Sequence, residues 1–238
     1  MTHGMFDRFS CYGKQARRPA AWLELVVLVL ALPMLVVAPA LAKVGTNSCV
    51  GIDSCTHNTG NVKNHSCNGD EACFQNTGAV GDNSCDDFAA CLSNTAAVGN
   101  HSCNGNAACD QTAGPSIGNG SCNGQAACST PSSFVFPGPI GNNSCNGDFA
   151  CLTFLDDRFS PGPVGNGSCG GSGSCLQNTA PSIGNGSCLG QGACFRNSGT
   201  VGNGSCIGFS ACSNNSGHIG PGRCIGDQVC QNNTADIP

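Results

Sequence analysis

From Cys49 onward the chain repeats one unit ten times: two cysteines separated by five residues, as in Cys67-Asn68-Gly69-Asp70-Glu71-Ala72-Cys73. The units begin at Cys49, Cys67, Cys85, Cys103, Cys122, Cys145, Cys169, Cys188, Cys206 and Cys224, so the period is 18 residues, lengthened to 19, 23, 24 and 19 between the fourth and eighth units. Self-similarity at a fixed short period describes a row of like units rather than a single globular core.

Each unit reads as three blocks of six: aliphatic-Gly-Asn-x-Ser-Cys, then x-Gly-x-x-Ala-Cys, then x-x-Asn-Thr-Gly-x, with substitutions. Every block carries one turn signal of Gly or Asn, residues that tolerate left-handed backbone angles. Three corners per 18 residues predict a triangular coil, with two or three residues on each side. That is too short for helix and long enough for the strands of an all-β parallel β-solenoid. The valines, isoleucines, alanines and cysteines are expected to point inward, and Gly, Asn and Ser to shape the corners.

The N-terminal segment differs. Arg8, Lys14, Arg17 and Arg18 precede an apolar run from Ala20 that ends in Ala40-Leu41-Ala42, the layout of a secretory signal over residues 1–42 with the repeat domain over 43–238. The alternative is an uncleaved anchor, since the run approaches bilayer-spanning length. Cleavage would remove Cys11 and leave an even twenty cysteines, which a secreted chain would meet with oxidation. It would also leave five basic against twelve acidic residues. That balance argues against a nucleic-acid partner, and no membrane contact is expected once the signal is gone. With so few large aliphatic residues, covalent staples must supply much of the stability.

The first block resembles the aliphatic-Gly-x-x-small-x hexapeptide of left-handed β-helices, although Asn68 and Asn104 stand where the second block would need an aliphatic residue. The Ser-Cys-x-Gly-x-x-Ala-Cys stretch resembles the coil of the small beetle antifreeze solenoids, which is bridged internally. The chain as a whole resembles secreted cysteine-rich tandem-repeat proteins that carry no assigned activity. The antifreeze resemblance implies the bridges Cys49–Cys55, Cys67–Cys73, Cys85–Cys91, Cys103–Cys109, Cys122–Cys128, Cys145–Cys151, Cys169–Cys175, Cys188–Cys194, Cys206–Cys212 and Cys224–Cys230. The residues agree, because every length change falls between units and none inside a Cys-x5-Cys loop. On this reading the central glycine folds the loop back. Bridges between equivalent cysteines of neighbouring coils, about 4.8 Å apart, stay open as the competing scheme. Zinc or iron on these thiols is disfavoured by the spacing, and neither a metal nor any other cofactor is expected.

Catalytic chemistry finds no constellation. His57, His65, His101 and His218 lack a recurring acidic or nucleophilic companion. Asp70, Glu71, Asp82, Asp86 and Asp87 crowd two units without the period that calcium-binding repeats require. Asn64, Asn100 and Asn166 fit the glycosylation sequon only because the repeat dictates it. The expected function is therefore a secreted, non-catalytic structural or adhesive surface protein, one that self-associates end to end or attaches to an extracellular surface. The alternative is ice binding through Thr59, Thr77 and Thr95, then Thr179, Ser198, Ser216 and Thr234, beside a column of asparagines expected to bond along the row. The two longest insertions, at 129–144 and 152–168, supply an expected binding patch of Phe134, Phe136, Phe154, Leu155, Arg158 and Phe159.

Overall fold

The computed structural model describes residues 42–130, 138–153 and 162–238. Among these there is no helix and little strand: β1 (Ala97–Val98) pairs in parallel with β2 (Ser116–Ile117), in the register Ala97↔Ser116 and Val98↔Ile117. Elsewhere the same position makes single parallel bridges from repeat to repeat, such as Val62↔Val80, Ile140↔Val164 and Ile219↔Ile237. A lone β-branched residue held between a glycine and a turn has room for one bridge, not a strand. The column of these residues is buried from Val62 to Ile219. The segment read as a signal lies outside the described residues, apart from Ala42 at its end. Among the described residues no helix is long and apolar enough to cross a membrane.

A second aliphatic column, Leu189↔Ile207↔Ile225, follows the first cysteine of the last three repeats. In earlier repeats Asn68, Asp86 and Asn104 occupy that place. There a side-chain oxygen takes over the pairing: Val50 N–H donates to Asn68 Oδ1 at 3.3 Å and Asn68 N–H to Asp86 Oδ1 at 3.2 Å.

Ten disulfides join the cysteines of each unit, from Cys49–Cys55 to Cys224–Cys230, with Cα separations of 5.4 to 5.6 Å. Apart from those of the first unit the cysteines are buried, packed with Ala72, Ala90, Ala108 and their equivalents and with the aliphatic column in one continuous core. The loops within the first seven bridges close differently from the sequence expectation, whereas in the last three the central glycine is also at positive φ (Gly190 131°, Gly208 134°, Gly226 128°). The left-handed angles fall on the first cysteine and on the residue four places later, as at Cys67 (φ 60°) and Glu71 (φ 56°), while Asp87 stands in the place of the central glycine.

The glycine of the first block also has another reason to be there. A Cβ on Gly81 would lie 2.6 Å from the carbonyl carbon of Gly99 in the next repeat, and on Gly45 2.5 Å from that of Lys63. Glycine lets neighbouring backbones approach. The left-handed corner two residues on accepts Asn47, His65, Asn83 and His101 as readily as Gly186.

Serine, expected at the corners, is buried. Ser66 Oγ donates to the Gly81 carbonyl of the following repeat at 2.7 Å and accepts the Ser84 N–H at 3.2 Å. The same pair of bonds recurs from Ser48 through Ser205, where Arg223 N–H is the last donor. A buried hydroxyl satisfied at both ends stabilises; one left unpaired would cost. The ladder continues unbroken through the lengthened repeats, via Ser121 to Gly141 and Ser144 to Gly165.

Candidate functional site

All six residues of the expected patch, Phe134, Phe136, Phe154, Leu155, Arg158 and Phe159, lie outside the described residues. The seven hydroxyls of the alternative reading are all among the described residues. Thr59, Thr77, Thr95, Ser198, Ser216 and Thr234 are exposed, Thr179 is half-buried, and the backbone holds them in register: Thr59 N–H donates to Asn76 O and Thr77 N–H to Asn94 O, both at 2.9 Å. The column is broken for three repeats, with Ala113 in its place in the fourth and the places in the fifth and sixth outside the described residues.

The adjoining asparagines turn inward. Asn94 is fully buried, and its Nδ2 donates to Asn76 Oδ1 at 2.9 Å and to its own turn at Ala96 O. Asn197, Asn215 and Asn233 continue the pattern at the other end. Between the two runs Thr112 takes the asparagine's place and donates instead to Cys128 O at 2.7 Å. These asparagines are spent on the fold, whereas the hydroxyls beside them face solvent.

The histidines stand apart from one another. His57 meets Phe74 edge-on at 5.8 Å, His65 and His101 occupy equivalent exposed corners, and His218 lies near the C-terminus. The carboxylates serve as ladder acceptors: Asp82 takes the Asn64 N–H, Asp86 the Asn68 N–H and Asp70 the Ile52 N–H. Lys63 Nζ sits 3.9 Å from Asp82 in an exposed pair that contributes little. Burial raises the Asp86 carboxyl pKa, against the Asn68 hydrogen bond and the charge of His65. Burial pushes Asp110 up to about 6 against the opposing pull of Gln111, and Asp110 Oδ1 is buried with no hydrogen-bond partner.

The fold also forms a groove of about 350 Å³ across repeats six to nine, which no expectation from the repeat pattern anticipates. Phe149 and Phe209 flank it, Leu176 and Phe195 line it, and Gly173 and Gly192, both left-handed, leave the space open. The Arg196 guanidinium lies 4.9 Å over the Phe195 ring, and its Nε donates to Gln177 Oε1 at 2.6 Å. The available signal is phenylalanine recurring within, or just after, the bridged loops of these repeats.

Three overlapping stretches, 36–115, 98–157 and 153–238, match the family described as a domain of unknown function (DUF7640). The chain belongs to this family. Its pattern recurs along the chain, in keeping with a tandem-repeat family whose cysteines keep a Cys-x5-Cys spacing. No curated protein and no solved structure matches the chain.

Proposed function

We propose that the chain is a secreted, non-catalytic structural or adhesive protein, a parallel β-solenoid whose ten coils form a stiff rod stapled from within. The observation that carries this reading is the serine ladder. One buried hydroxyl per repeat ties each unit to the next without a break, so these serines are committed to inter-repeat hydrogen bonds. Ten disulfides belong in an oxidising compartment, which supports export by the N-terminal segment. On this reading the insertions at 129–144 and 152–168 form the contact edge, and end-to-end self-association lengthens the rod.

Small-angle scattering and electron microscopy of purified residues 43–238 test the architecture. A particle about 50 Å along its axis follows from ten coils at about 4.8 Å each, and a compact globule would overturn it. Attachment is tested by shortening both insertions to the standard six-residue connection and measuring adsorption to cell-wall polysaccharide. Retained fold with lost adsorption supports an adhesive role, and unchanged adsorption removes it.

The exposed, backbone-registered Thr59, Thr77 and Thr95 favour a second reading, ice binding. Thermal hysteresis in the purified protein that disappears on replacing these threonines with lysine would establish that reading in place of the first.

A further inference from the structure

The disulfides are close to one another as well as closed. In repeats three and four the sulfurs of Cys85, Cys91 and Cys103 all lie within 4.8 Å of one another. The same holds for Cys145, Cys151 and Cys169, for Cys169, Cys175 and Cys188, and for Cys212, Cys224 and Cys230. In the first three groups the first cysteine of one repeat faces both sulfurs of the preceding bridge. Repeats six, seven and eight are thereby linked in series through Cys169 and Cys188.

We infer that the cysteines of repeats six to eight form an intramolecular thiol–disulfide exchange relay, in which an unpaired thiol in one repeat moves along the core by attacking the bridge of its neighbour. Exchange needs a thiolate beside a disulfide sulfur and no outside oxidant or reductant. A Cys188 thiolate attacks Cys175 Sγ. The Cys175–Cys188 bond forms as Cys169–Cys175 breaks, and the electron pair leaves on Cys169, which takes up the proton Cys188 has released. Cys169 then stands within 4.8 Å of Cys145 and Cys151 and repeats the step. The sulfurs that must join, those of Cys175 and Cys188, already lie within 4.8 Å of one another. The core cysteines are buried, so dissolved thiols do not compete for them. Such a relay lets a mispaired chain reach the native set of bridges by internal exchange.

The Cys194→Ala variant, which leaves Cys188 free, tests this. The protein is held at pH 8, quenched in acid, unfolded, alkylated and mapped by mass spectrometry. Loss of label from Cys188 with its appearance on Cys169, Cys175, Cys145 or Cys151, together with a bridge from Cys188 to repeat seven, is the expected result. Label confined to Cys188 overturns the relay. The mirror variant Cys188→Ala leaves Cys194, whose sulfur is outside the cluster of Cys169 and Cys175, and it should keep its label; equal scrambling in both variants would mean non-specific exchange and overturn the proposal. Should either variant fail to fold, phosphine reduction of the wild-type protein in denaturant just short of unfolding, continued until thiol labelling shows that a bridge has opened, decides the question instead. Bridges between repeats six, seven and eight support the relay, and native pairs alone refute it.

Discussion

Ser84 reaches out of its own repeat to Gly99 in the next, its hydroxyl 2.8 Å from the glycine carbonyl, while the Ser102 N–H donates to the same hydroxyl at 3.1 Å. One side chain thus fills two backbone vacancies that the close approach of the repeats would otherwise leave.

Replacing that serine should therefore be costly despite its small size. Ser84→Ala strands a buried N–H and a carbonyl and is expected to destabilise by about 1–3 kcal/mol. Chemical denaturation of the oxidised protein measures it. Ser48→Ala, at a more exposed position in the first repeat, should lose less.

The two kinds of glycine should respond in opposite ways. Gly81→Ala forces a Cβ against the backbone of Gly99 and should cost about 1–3 kcal/mol. Gly186 sits at φ 62° with nothing within 4 Å, where Asn47 and Asn83 adopt nearly the same angle. Gly186→Asn should thus stay within about 0.5 kcal/mol of the wild type. Melting temperatures of the two variants decide the matter, and equal losses would contradict it.

Asp110 gives the stability a pH dependence. Its folded pKa, near 6, lies above the ordinary carboxylate value of 3.8, so the folded state holds the proton more tightly than the unfolded one. The protonated carboxyl's contribution is fully present below about pH 4 and is lost as pH rises through about 6. Asp110→Asn should accordingly melt higher than the wild type at pH 7, with the difference shrinking toward pH 4. A constant difference across that range would assign the effect to packing.

Each bridge closes a loop of six residue steps, which loop-closure entropy values at about 2 kcal/mol. Ten of them sum to ~20 kcal/mol, beyond the net stability of about 5–15 kcal/mol usual for a domain. Removing one, as Cys103→Ala with Cys109→Ala, should leave a folded protein less stable by about that single increment. Full reduction should unfold the chain, as far-ultraviolet circular dichroism would record.

Much of this architecture is legible in the residues. The Val and Ile column announces itself by its 18-residue spacing, and the constant Cys-x5-Cys interval sets the closed loop apart from the variable connections. Serine misleads because its small polar side chain is as common at exposed turns as in buried hydrogen bonds, and only the neighbouring repeat reveals which applies. Gly81 misleads for the same reason: its justification is the Gly99 backbone beside it, a contact that no local angle preference encodes. The groove between Phe149 and Phe209 draws on four repeats and two differently placed phenylalanines, so no single unit displays it.

The ladder bond from Ser66 to Gly81 spans 15 residues of chain, that from Ser121 to Gly141 spans 20 and that from Ser144 to Gly165 spans 21, at nearly one length. The frame is thus indifferent to how much polypeptide passes between one anchor and the next. Natural selection, or a protein engineer, can splice foreign peptides into that single seam and leave the rest of the architecture unaltered.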